Sequence, residues 1–212
     1  IRLLKMKCII GWDDDLIDQY RVCKSTITVD TMPTQNMFLP FRDGSTAFTM
    51  SRFNVPEMMQ YHGWHVFCDS DFYFIEDVRK LLHYADSKYA VVVCKHPEYE
   101  PKSDLKMDGK QQTSYKRKNW SSLILWNCSH PSNRILRPPF VADCNPLWLH
   151  QFKWLKDEEI GEIPLEWNCL EGYYDCNDAK AIHYTDGVPL FDKYKNTPHA
   201  KLWLDRHELL LR

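Results

Sequence analysis

Glycine is scarce in this chain, seven among 212 residues. Gly11 follows the first apolar run, but the later glycines of a G-x-G-x-x-G turn are missing, and no G-x-x-x-x-G-K-[ST] loop occurs. Both motifs use glycine to bring backbone N–H groups onto phosphate, so a Rossmann dehydrogenase and a P-loop enzyme are disfavoured. An excess of one charge is also lacking. Against 29 Asp and Glu stand 27 Lys and Arg, a formal charge of −2, and that makes no general nucleic-acid surface. No apolar run approaches the ~20 residues that span a bilayer, so no transmembrane segment is expected. The opening Ile1-Arg2-Leu3-Leu4-Lys5 is too short for a signal-peptide core and leads into a strand, which sets the expectation of a cytoplasmic location. Eight cysteines are present, but none form C-x-x-C and none have zinc-type spacing. Cys8, Cys68, Cys94 and Cys128 lie in apolar runs, so the expectation is free, buried thiols in a reducing compartment.

Aromatics, by contrast, are plentiful: eight Trp, eleven Tyr and ten Phe. They suit a pocket that stacks planar or sugar rings, and they suit core packing equally well. The length fits one domain over residues 1–212 with a sizeable core.

The chain is organised around residues 65–74, HVFCDSDFYF. An apolar strand stops at Asp69 and Asp71, one residue apart, and a second apolar run follows at Phe72. Neighbours at i and i+2 point to one side of a strand, so the two carboxylates converge. Set in apolar surroundings they repel and lose hydration, and they need a cation or donors. A divalent ion that also takes phosphate oxygens suits them. The commonplace alternative for such a pair is a solvated turn or a helix cap; Asp13-Asp14-Asp15 is a second acid cluster and reads best as a cap and first helical turn.

Elsewhere the pattern alternates. Strands are expected at 5–10, 27–29, 88–94, 123–127 and 179–184, and helices at 16–25, from Pro56 to Tyr61, at 78–85, 146–156 and 201–212. Residues 31–45 read as a loop, and 96–118 as a long charged excursion whose Lys110, Lys116, Arg117 and Lys118 could meet phosphates, although such runs are mostly solvated faces. Arg52, just before a helix, either meets a phosphate, holds Asp69 or lies exposed. His183, at the last strand's end, is either a satisfied structural residue or a third metal ligand. Trp148 and Trp154 read as packing. The sum is an α/β fold, a mainly parallel central sheet flanked by helices.

Six stretches together resemble glycosyltransferases of the GT-A fold, family 8-type nucleotide-sugar enzymes and their small bacterial and viral relatives. They are IGWDDD (10–15), FTMSRFNVP (48–56), GWHVFCDSDFYFIEDVRKLL (63–82), NWSSLILWNC (119–128), IPLEWN (163–168) and IHYTDGVP (182–189). The resemblance implies a single GT-A domain and transfer of a sugar from a nucleotide-diphosphate sugar, a UDP-sugar above all, to a sugar, glycan or protein acceptor. It implies Mn²⁺ or Mg²⁺ held by Asp69, Asp71 and His183. Gly11, Trp12, Asp13, Arg52, Ser70, Ser122, Asn127 and Gly187 fall on its donor side, with Trp167 and Asn168 resembling part of the acceptor wall. The family's H-x-x-G-x-x-K-P-W pattern is not kept: Gly187 follows His183 one residue late, and Lys193, Lys195 or the 110–118 lysines stand in for the missing lysine. The family's acidic pair is not evident either, which leaves Asp143 and Glu166 as catalytic candidates and retention as the expected outcome. Two rivals remain: a catalytically decayed nucleotide-sugar-binding module, and a metal-dependent nucleotidyltransferase.

Overall fold

A computed structural model describes residues 5–35, 46, 48–97, 105–106, 110–111 and 115–212, with backbone alone at 105–106 and 110–111. The strands are β1 (Cys8–Gly11), β2 (Thr31–Thr34), β3 (Trp64–Cys68), β4 (Phe72–Phe74), β5 (Val91–Cys94), β6 (Leu105–Lys106), β7 (Lys110–Gln111), β8 (Leu123–Asn127), β9 (Ile160–Ile163), β10 (Cys169–Leu170) and β11 (Ala181–His183). The α-helices are α1 (Ile17–Ser25), α2 (Val55–Met58), α3 (Pro138–Asp143), α4 (Pro146–His150) and α5 (Ala200–Leu211), with 3-10 turns between them.

The central sheet has the order β2-β1-β3-β8-β5-β9. It is parallel at β1/β2, β1/β3 and β5/β9, while β8 runs antiparallel to both β3 and β5. Its inner strands read as unbroken apolar runs because both faces are covered. Period-two alternation sorts their side chains into two cores. Ile9, Phe67, Val91, Val93, Ile124 and Trp126 face one way, onto Phe53, Leu149 and Phe152. Ile10, Val66, Cys68, Val92 and Leu125 face the other, onto Tyr20, Cys23, Phe72 and Leu81. Each fully buried Val, Leu, Ile or Phe contributes about 1.5–3 kcal/mol. A smaller sheet, β10-β11-β4, packs with α5 over Val22, Tyr184 and Trp203.

Several boundaries differ from those expected. No strand forms at 27–29; β2 starts at Thr31, inside the segment read as a loop, and the part of that loop at 36–45 lies outside the described residues. Pro33 argued against a strand, but β2 is the sheet edge, where a missing N–H breaks no ladder bond. The helix expected from Pro56 to Tyr61 begins earlier, as a 3-10 turn at Ser51–Asn54, and stops at Met58 before the left-handed Gln60 and Tyr61. The 146–156 helix is α-helical only to His150; left-handed Phe152 follows. Trp148 packs edge-on against Phe140, and Trp154 stacks on Trp126, as packing residues.

The thiol expectation fails at one place. Cys169 and Cys176 are joined in a disulfide, and Cys8, Cys23, Cys68, Cys94, Cys128 and Cys144 are free. Seven residues apart with Cα atoms 5.7 Å from each other, the pair closes the short loop after β10. Thiol titration of the denatured, unreduced protein is expected to count the six free cysteines; a count of all eight would mean that the bond does not form.

Candidate functional site

β3 and β5 are parallel, so their carboxyl ends share one edge of the sheet, with the start of the reversed β8 between them. Asp69 follows β3 at that edge. Its backbone N–H donates to Ser122 O (2.9 Å), which ties it to the large sheet. Asp71 belongs to the small sheet: Tyr184 N–H donates to Asp71 O (3.0 Å), and the β4/β11 register pairs Phe72 with His183. The D-S-D segment thus bridges the two sheets, and that bridging sets His183 beside Asp71. His183 Nε2 lies 3.3 Å from Asp71 Oδ1, and one ligand atom each from Asp69, Asp71 and His183 fall within 4.8 Å of one another. The His183 ring stacks on Phe72 at 4.4 Å between centroids.

Arg52 is buried and pairs with Asp69 Oδ1 at 2.9 Å. It also donates to Ser121 O and Thr49 O, and its guanidinium lies over Phe48 and Phe67. Of the three readings of Arg52, the structure takes the one that holds Asp69. His183 Nδ1 bonds to Asn168 Oδ1 at 2.9 Å; Asn168 Nδ2 donates to Ser122 Oγ at 2.9 Å, and Ser122 Oγ donates to Asn119 O at 2.7 Å. A ring N–H held by an acceptor leaves the other nitrogen free to bind an ion. Two carboxylates and an imidazole are hard and borderline donors that suit Mn²⁺ or Mg²⁺, and their spacing is that of neighbours in one coordination sphere. Arg52 is the cation that pairs with Asp69 among the described residues, and a divalent ion suits the like charges of the two converging carboxylates.

Other candidates go elsewhere. Asn127 ends β8, opposite Trp64 at the far edge of the sheet, where its amide donates to Tyr89 O. A reversed β8 brings Ser122 to the site and takes Asn127 away from it. Trp167 is no wall residue; it is buried in the core with Ile163 and Ala181. The Ser70 hydroxyl turns away to Gln19, as alternation requires between two converging carboxylates. Asp13 accepts from Asp15 N–H as the cap of the first helical turn. Trp12 lies edge-on to Tyr20 and donates to Asp14. Gly11 and Gly187 are close-approach positions: a Cβ would meet the Phe48 ring at 2.3 Å and the Tyr194 ring at 2.4 Å. Asp143, at the end of α3, and Glu166 are exposed, and neither carboxylate bonds to the triad. Arg117 is taken up by Gln151 O and Asp157. Lys193 lies over Tyr194, Lys195 pairs with Asp192, and the Lys110 side chain lies outside the described residues.

Three residues escaped sequence reasoning. Tyr115 sits near Arg52 and Asp69; burial raises its phenol pKa, Arg52 opposes the rise and Asp69 adds to it. His150 Nδ1 bonds to Ser121 Oγ at 2.6 Å, one step from Arg52. His96, just past β5, is buried, and burial, then His183, lower its pKa to about 3. An apolar stripe on α4 hid the second of these, and a charged excursion the other two.

No protein-family model matches the chain. It is 40% identical to "Protein CDI" of Arabidopsis thaliana over 223 aligned positions, covering 95% of this chain and 86% of that protein. Among solved structures it is similar to the glycosyltransferase GlyE of Streptococcus pneumoniae, with a TM-score of 0.62 and 9% identity, over 96% of this chain. That match spans 60% of GlyE, so the chain covers less than two thirds of that neighbour. It is similar to the galactosyltransferase LgtC, solved with donor and acceptor sugar analogues, with a TM-score of 0.60 and 10% identity over 96% of this chain and 95% of that one. The fold is accordingly that of the GT-A glycosyltransferases.

Proposed function

The chain belongs to the family of Arabidopsis thaliana Protein CDI, and from that premise, its fold and its triad we propose that it is a metal-dependent glycosyltransferase, one domain over residues 1–212, using a nucleotide-diphosphate sugar. The observation that carries this is the convergence of Asp69, Asp71 and His183 at the carboxyl edge of the sheet, where α/β folds take their ligands. Asp69, Asp71 and His183 would hold Mn²⁺ or Mg²⁺, which supplies Lewis-acid stabilisation of the leaving diphosphate. The chain's own residues do the rest. Arg52 fixes Asp69; Asn168 and Ser122 fix the His183 tautomer; Tyr115 presents a protonated hydroxyl beside Asp69. The donor is read as a UDP-sugar, with Gly11 and Trp12 beside the base and Gly187 near the diphosphate.

Asp143 and Glu166 are exposed, and neither carboxylate is bonded to the triad as a general base. That favours retention with an acceptor hydroxyl attacking unaided. The same observation favours one second reading, a donor-binding module without turnover. A cytoplasmic location rests on the six free thiols, with the Cys169–Cys176 bond against it. Among the described residues no helix is long and apolar enough to cross a membrane.

A thermal-shift screen of nucleotide sugars, with and without Mn²⁺, tests the reading. A ligand at ~100 times its Kd adds about 2.7 kcal/mol of stability. Metal-dependent stabilisation by one nucleotide sugar, followed by release of its nucleotide with an acceptor, is the expected result. Stabilisation without release under any acceptor supports the module, and no shift with any nucleotide overturns both.

A further inference from the structure

His96 has no role in the site as described, yet its placement is costly. It lies just past the carboxyl end of β5, at the edge where Asp69 follows β3, and it is only 4% exposed. Its backbone is fixed: N–H donates to Cys94 O, and the carbonyl accepts from Trp120 Nε1. Its ring stacks on Tyr174 at 5.8 Å between centroids, and Nδ1 lies 3.1 Å from the Tyr174 hydroxyl. Nε2 is buried without a hydrogen-bonded partner. A buried polar atom left unsatisfied costs about 1–3 kcal/mol and asks for a reason.

The reason lies in what the ring faces. The His96 carbonyl holds the Trp120 indole, and the adjoining Asn119 carbonyl accepts from Asn168 Nδ2, so the ring shares its surroundings with His183 and Asn168. The Asn168 amide has one permitted orientation, because its Nδ2 donates to Ser122 Oγ and Asn119 O. Its Oδ1 has two lone pairs, and the His183 Nδ1–H uses one. When the Tyr174 O–H donates to His96 Nδ1, the His96 proton sits on Nε2, and that N–H is the buried group without a partner, with the Asn168 side chain acting on the same ring.

We propose that His96 is a positioning residue for the metal-binding histidine: when the ion enters, its Nε2–H closes on Asn168 Oδ1 and locks the amide that sets the His183 tautomer. The chain of contacts runs from Tyr174 through His96 and Asn168 to His183, and so ties the disulfide-closed loop after β10 to the metal. This rests on the reading of Asp69, Asp71 and His183 as a metal centre.

Mn²⁺ titration followed by electron paramagnetic resonance, on the full chain, tests it. His96→Phe keeps the bulk and the stacking and removes the N–H; His96→Gln keeps a donor. Outer-shell partners of ligand histidines are worth about 10–100-fold in metal affinity. His96→Phe is expected to lose affinity in that range while its melting temperature in EDTA holds or rises, since an unsatisfied group is gone. His96→Gln is expected to recover most of the affinity. Tyr174→Phe, which removes the hydroxyl that sets the tautomer, is expected to weaken Mn²⁺ in the same direction and carries the test if His96→Phe does not fold. Wild-type affinity in both His96→Phe and Tyr174→Phe overturns the inference and leaves the metal centre standing. A wild-type protein that takes up no Mn²⁺ overturns the metal centre, and the inference with it.

Discussion

Asp71→Asn is expected to abolish metal-dependent donor binding and turnover while leaving the metal-free protein at least as stable as the wild type. Asp71 is 5% exposed and stands 3.3 Å from His183 Nε2, with Asp69 two residues away and paired to Arg52. Arg52 answers the charge of Asp69. Asp71 has an imidazole beside it and a second carboxylate within ligand distance. A carboxylate so placed is disfavoured by burial and by its like neighbour. The asparagine has almost the same shape, keeps an oxygen, and removes the charge. Without metal it therefore relieves repulsion, and a melting scan in EDTA should read equal or higher than wild type. With metal, a ligand charge is gone from the centre itself. The loss of Mn²⁺ affinity should exceed the ~10–100-fold that an outer-shell partner is worth, and glycosyl transfer at saturating donor should fall with it, because the leaving diphosphate loses its counter-charge. Opposite signs for stability and activity are what separate a site residue from a structural one. Turnover near the wild-type value in Asp71→Asn would sink the metal-centred reading.

The carboxylate pair was legible because it needs only local geometry. Two residues apart at a strand end, the side chains share a face whatever the rest of the sheet does, and an apolar strand on each side leaves no solvated loop. His183 is different: as the polar end of an apolar run it reads equally as a structural residue, and its place beside the carboxylates is what the GT-A resemblance implies. Direction was not legible. LILWN carries no mark of which way it runs, so a parallel β8 put Asn127 at the site and the actual antiparallel one puts Ser122 there. Nor does composition tell a buried indole from a sugar-stacking one, and Trp167 lies in the core. The supporting shell is the least legible part. His183, Asn168 and Ser122 come from three segments, and their hydrogen bonds exist only once the large sheet, with the start of β8, has met the small sheet of β10 and β11.

Arg52→Ala is expected to produce the largest loss of stability among the site residues. The guanidinium side chain is 7% exposed and the Asp69 carboxylate 16%, so both charges are largely out of water. Arg52 also satisfies Ser121 O and Thr49 O, and its face lies 5.0 Å from the Phe67 ring centroid. Removing one member of a buried pair costs ~3–5 kcal/mol, mostly because the other charge stays behind unanswered. At the lower end, about 3 kcal/mol, a chain of this length loses roughly 6–12 °C of melting temperature. Arg52→Lys is expected to fall well short of rescue, since an ammonium cannot keep the ion pair to Asp69 together with the two hydrogen bonds to Ser121 O and Thr49 O. Two results would separate charge from packing. If the stranded Asp69 carboxylate is the cost, Arg52→Ala/Asp69→Asn should be more stable than Arg52→Ala alone, and Mn²⁺ should stabilise Arg52→Ala by more than it stabilises the wild type, because the ion supplies the missing positive charge. If the double variant melts lower still, with the two losses adding, then the lost guanidinium packing is the cost and Arg52 is a core residue that happens to touch the site.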